Sequence, residues 1–80
     1  MATDQIERGI STTLDGIEQI GRNGGYREKV EALEVLNEMT WFDNFGAPLY
    51  RRRLQIADRI AADVKDDDVP EFLAEELDGY

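Results

Sequence analysis

Eighty residues with 18 Asp plus Glu against 9 Lys plus Arg carry a formal charge of −9 at pH 7, and a chain of this length is expected to form one domain, 1–80. With no cysteine and no histidine, disulfides, thiolate chemistry, Cys/His zinc sites and histidine-based triads are excluded. The acid excess disfavours direct contact with nucleic acid or an anionic membrane and favours a basic partner.

No apolar run approaches the ~20 residues of a membrane span, and "MATDQIERGI" lacks the basic-then-apolar order of a signal peptide. A cytoplasmic location is the expectation. The first helix is expected over about 4–20, with Thr3 as its cap. Ile6, Ile10, Leu14 and Ile17 recur at helical spacing, and Ile20 falls just outside their arc. Asp4 with Arg8 and Glu18 with Arg22 are i,i+4 pairs in the favoured orientation. Gly9 and Gly16 share one flank, which suggests close helix–helix packing first and a smooth strip for a partner second. "GRNGG", residues 21–25, reads as a breaker in which glycine supplies positive φ.

A second helix is expected over about 26–39. Tyr26, Val30, Leu33 and Leu36 form its apolar arc, and Glu31, Glu34 and Glu38 line the far side with Glu28 at the edge. "TWFDNFGAP" then supplies Trp41, Phe42 and Phe45, which either plug the junction to the next helix or anchor a partner.

The third helix, about 48–64, opens with Pro48, which suits a first helical position. Its arc is Leu49, Ile56, Ala57, Ile60 and Val64, widening to Tyr50, Leu54 and Ala61. With Leu49 at zero and ~100° per residue, Arg51 falls near 200° and Arg52 near 300°, both outward. Arg53 falls near 40°, inside the apolar arc. A guanidinium there must snorkel or be paired, so Arg53 is expected to lay its stem on the core and meet a carboxylate of another element, with the tail as a candidate source. Arg51 and Arg52 remain available to a partner.

"KDDDVPEFLAEELDGY" closes the chain with a short helix over about 69–77. Asp68 and Glu71 read as a capping box and Pro70 as a first-turn residue. Phe72, Leu73 and Leu77 form its apolar edge, and so short a helix requires docking. The fold class is therefore all-α: a small bundle of three main helices plus a short C-terminal one.

Charge is unevenly placed. Residues 1–47 carry nine acids and four bases, residues 48–62 four arginines and one acid, and residues 63–80 eight acids and one lysine. The acidic candidates for partner binding are Glu31, Glu34, Glu38, Asp66, Asp67, Asp68, Glu71, Glu75, Glu76 and Asp78. The aromatic and basic candidates are Trp41, Phe45, Arg51, Arg52 and Tyr80. Carboxylates three or four residues apart on a helix repeat about every 4.5–6 Å, comparable with the ~3.4 Å phosphate spacing of a DNA strand. The acid-rich tail lacks the Gly and the alternating ligands of an EF-hand loop, so no metal or cofactor is expected, and no enzyme activity.

In size and charge the chain resembles phage-encoded inhibitors of the anti-CRISPR or anti-restriction type. Such a resemblance implies binding to a larger protein with a basic surface, such as a nucleic-acid-binding complex, and blocking or mimicking its nucleic-acid contact. The alternatives are an antitoxin or regulatory subunit whose acidic tail wraps a basic partner, and an assembly factor acting as a homodimer or larger homo-oligomer. The acidity also suits a protein adapted to high salt.

Overall fold

The computed structural model describes residues 2–39 and 47–80. They form α1 (Ala2–Asn23), α2 (Tyr26–Glu38), α3 (Ala47–Ala61), a 3-10 turn (Asp66–Asp68) and α4 (Glu71–Asp78), with no strand among the described residues. The first three helices pack on one another, and α4 lies across α2 and α3. The all-α bundle expected from periodicity is the fold observed.

α1 buries Ile10, Leu14 and Ile17, but Ile6 is 44% exposed. Ile6 sits in the second turn of the 22-residue helix, outside the core cluster. Ile20, at the edge of the arc, is also exposed. Thr3 lies inside the helix rather than capping it. The helix also continues through Gly21, Arg22 and Asn23, beyond the expected break. Gly21 is buried there, and a Cβ would lie 2.5 Å from the Ile60 side chain. Gly21, not Gly9 or Gly16, is thus the close-packing glycine; the latter two have nothing within 4 Å of a Cβ.

The chain reverses at Gly24 and Gly25. No glycine among the described residues takes a positive φ, which corrects the expectation for this turn. The requirement at Gly24 is space: its Cβ would lie 2.6 Å from the Ile20 carbonyl oxygen and 2.7 Å from Glu28 Cβ. Lys29 Nζ donates to the Gly21 carbonyl and lies 3.6 Å from Asp63. A cation thereby meets the carbonyl end of α1, where it is electrostatically favoured, and ties α2 to the chain beyond α3.

On α2 the buried residues are Ala32, Leu33 and Leu36, with Met39 just beyond. At ~100° per residue this arc is rotated by roughly 60° from the expected one. Tyr26 becomes an exposed flank residue and Val30 a half-buried one. On α3, Leu54, Ile56, Ala57 and Ile60 are buried, and Leu49, Tyr50, Ala61 and Val64 pack against them. The helix ends at Ala61, three residues early. The chain there tightens into i→i+3 bonds, Asp63 N–H to the Ile60 carbonyl at 3.0 Å and Val64 N–H to the Ala61 carbonyl at 3.2 Å.

Arg53 behaves as its wheel position requires. It is wholly buried, and its Nη1 and Nη2 donate to Glu76 Oε2 and Oε1 at 2.8 and 2.7 Å. Nε donates to the Leu36 carbonyl at 2.7 Å. That carbonyl belongs to the last turn of α2, where it also accepts the Met39 backbone N–H. One guanidinium therefore joins α2, α3 and α4. Leu73 completes the docking of α4 by burying fully, with Leu77 beside the core. Phe72 is 52% exposed and is not part of the docked edge; it projects about 100° away from Leu73 on an ideal helix.

The expected capping box does not form. Pro70, not Asp68, occupies the N-cap position, and no side chain caps α4. Asp68 lies in the 3-10 turn, where its carboxylate accepts the Tyr26 hydroxyl hydrogen bond.

Candidate partner-binding groove

The two acidic regions, 34 residues apart in sequence at Glu34 and Asp68, meet along one flank of α2. The rotation of α2 that buries Ala32 turns Val30, Glu34, Asn37 and Glu38 toward the 3-10 turn and the start of α4. With Asp67, Asp68, Val69, Pro70 and Glu71 they line a groove of about 510 Å³. Five carboxylates and no cation line it. Its floor carries the partly buried Val30, Val69 and Pro70.

A second depression of about 370 Å³ continues it toward the start of α2, lined by Tyr26, Arg27, Val30, Glu31, Glu34 and Asp68. Arg27 there lies 3.4 Å from Glu31, both largely exposed, a pairing that water screens heavily. Tyr26 fixes the far bank. Its hydroxyl donates to Asp68 and accepts the Lys65 backbone N–H at 3.2 Å. The hydrogen bond to Asp68 is the main reason the Tyr26 pKa is raised above its ordinary 10.0, and the Lys65 N–H opposes the rise.

Asn37 Oδ1 is buried at the groove and has no hydrogen-bond partner. Buried acceptors in folded proteins are nearly always satisfied.

The remaining candidates separate. Asp66 is exposed in the turn but does not line the groove, and Glu75 and Asp78 are exposed on α4. With Glu71 they fall on one outward face of that helix at i, i+4 and i+7. Glu76 leaves the set: its carboxylate is 11% exposed and committed to Arg53. Arg51 is exposed. Arg52 is tied to Asp15 and lies 3.6 Å from Glu18, so it bridges α3 to α1. Tyr80 is 57% exposed beside Arg52 and Arg59, on a surface that shares no lining residue with the acidic groove. Trp41, Phe42 and Phe45 lie outside the described residues.

Sequence reasoning missed Val30, Asn37, Val69 and Pro70 as groove residues and Tyr26 as the clasp. Tyr26 carried a usable signal, since a tyrosine at the edge of an apolar arc keeps its hydroxyl near water or a partner. No group of three or more metal-ligating side chains converges among the described residues, so the carboxylates are spread along the groove rather than focused on a point. No helix among them is long and apolar enough to cross a membrane.

No family model matches the sequence, and neither a characterised protein nor a solved structure resembles it significantly.

Proposed function

We propose that this chain is a non-catalytic binding module whose acidic groove captures a basic element of a larger nucleic-acid-handling protein and competes there with nucleic acid. The convergence of Glu34 and Glu38 with Asp67, Asp68 and Glu71 in one concavity carries this reading. A structural role for these acids needs only solvated surface, whereas a shared groove without a cation keeps the charges unneutralised beside an apolar floor. Complementary charge of this kind speeds encounter and makes binding salt-sensitive. The resemblance in size and charge to phage inhibitors fits the same role. The docked α4, with Leu73 buried and Glu76 held by Arg53, supports a preformed surface over a tail that orders around its partner.

The test is affinity capture on the immobilised protein with salt-stepped elution, run beside a Glu34→Lys/Asp67→Lys/Glu71→Lys variant. The retained partner should be released by moderate salt and by added duplex DNA or RNA, and should be lost on the variant. Retention that survives both the charge reversal and nucleic acid would refute the proposal.

A homo-oligomer is the second reading. One observation favours it: the outer flank of α1 presents exposed Ile6 and Ile20 with Gly9 and Gly16 unobstructed between them. Concentration-dependent mass without any foreign protein would place that reading ahead.

A further inference from the structure

A second concavity lies on a face that shares no lining residue with the acidic groove. Glu18, Gly21 and Arg22 of α1 meet Ile56, Arg59 and Ile60 of α3, with Asp63 just beyond it, around a pocket of about 230 Å³. Residues 18, 21 and 22 share one face of their helix, as do 56, 59 and 60 of theirs. Gly21, Ile56 and Ile60 are buried and form the floor, while the charged residues stand at the more exposed mouth. Gly21 brings only backbone to that floor, because a Cβ there would lie 2.5 Å from the Ile60 side chain.

The mouth is cationic although the chain carries −9. Glu18 lies 3.3 Å from Arg22 and 3.6 Å from Arg52, and Asp63 lies 3.6 Å from Lys29. Arg52 also holds Asp15. Arg59 pairs with no carboxylate among the described residues. Arg22, Lys29, Arg52 and Arg59 thus face Asp15, Glu18 and Asp63, and the charge left over is that of Arg59. Asp58 lines only an adjoining depression, which Arg59 shares.

We infer that this pocket binds a small organic carboxylate, with one apolar group of ring size on the floor of Gly21, Ile56 and Ile60 and the carboxylate on Arg59. An apolar cavity of about 150 Å³ holds benzene, so 230 Å³ has room for one ring. A guanidinium suits the carboxylate through its planar, bidentate fork. An apolar floor with a few polar anchors is the ordinary build of a small-molecule site. A charged mouth close around so small a floor disfavours a protein surface as occupant, because interface cores are depleted of charged residues.

The experiment titrates the full chain with phenylpropionate, followed by NMR, beside phenylpropylamine and propionate. Amide shifts should map to residues 18–22 and 56–63, with nuclear Overhauser contacts from the ring to the Ile56 and Ile60 methyls. Phenylpropionate should bind at least about tenfold more tightly than the amine, which offers the same ring without the anion, since a charge-assisted hydrogen bond supports that factor. Propionate, which lacks the ring, should be weaker by at least about tenfold through lost apolar burial. Arg59 is exposed, so Arg59→Glu should fold; it should weaken phenylpropionate by about tenfold and shift the preference toward the amine. Arg8→Glu, a matching reversal elsewhere on α1, should change neither. N-acetyl-alanyl-phenylalanine presents the same ring and carboxylate on a peptide; if it binds more than about tenfold more tightly than phenylpropionate, the small-molecule assignment is overturned in favour of a partner's chain end. Failure of phenylpropionate to bind, equal binding of the amine, indifference to Arg59→Glu, or a ring remote from both isoleucines would overturn the site itself.

Discussion

Removing the Glu76 carboxylate tests the account of how α4 is held. Glu76→Ala leaves the Arg53 charge at a wholly buried position without its bidentate acceptor. Removing one partner of a buried ion pair costs about 3–5 kcal/mol. Glu76 retains 11% exposure, so water can reach the vacated site in part and the lower end, about 3 kcal/mol, applies. An 80-residue domain holds roughly 4–12 kcal/mol in total, so the loss is a large share. At ~4–8 °C per kcal/mol the melting temperature should fall by roughly 12–24 °C. The companion variant is Arg53→Met/Glu76→Leu, which removes both charges. The Leu36 carbonyl then keeps a cap N–H from the end of α2, and replacing a buried pair with apolar groups is often close to neutral. The double variant should therefore be more stable than Glu76→Ala. Urea denaturation followed by circular dichroism gives both values. A loss below about 1 kcal/mol for Glu76→Ala, or a double variant no better than the single, would refute the argument.

The glycines divide by surroundings. Gly9→Ala and Gly16→Ala should each stabilise by up to about 1 kcal/mol through helix propensity, since their Cβ positions are open. Gly21→Ala should destabilise, because overpacking against buried Ile60 costs about 1–3 kcal/mol; thermal melts in which all three behave alike would contradict this. Of the three consecutive arginines, Arg51→Ala should change stability by under about 0.5 kcal/mol. Arg52→Ala should cost up to about 1 kcal/mol for its exposed pairs, and only Arg53 truncation should be severe. At alkaline pH, a Tyr26 pKa raised above 10.0 means that the clasp contributes fully below pH 10 and is lost as pH rises through the folded-state value. The ultraviolet difference titration between the native protein and Tyr26→Phe should accordingly lie above pH 10, and a midpoint at or below it would count against the hydrogen bond to Asp68.

Periodicity was enough for the helices and for Arg53, because both depend on the angle of one residue to its neighbours on the same element. It misjudged α2 because its apolar residues permit two arcs. An arc through Tyr26 ignores Ala32, and only the packing of α2 against α1, α3 and α4 decides between them. Asp68 shows the same limit. A local cap and a tyrosine 42 residues away compete for one carboxylate, and sequence displays only the local option. Gly21 was read as a breaker because its packing partner, Ile60, lies on another helix. The groove is a meeting of distant segments and was legible only as two separate acidic runs.

The placement of the Arg53–Glu76 pair also bears on the order of assembly. α4 has eight residues, too few to be helical alone in water, so it forms only after α2 and α3 provide its seat. The pair is therefore expected to form late, on the native side of the folding barrier. Interactions absent from the transition state act on the unfolding rate. In stopped-flow chevrons, loss of Glu76 should leave refolding nearly unchanged and accelerate unfolding by about 100-fold for a 3 kcal/mol loss. Arg53 and Glu76 should then act mainly on how long a folded molecule lasts.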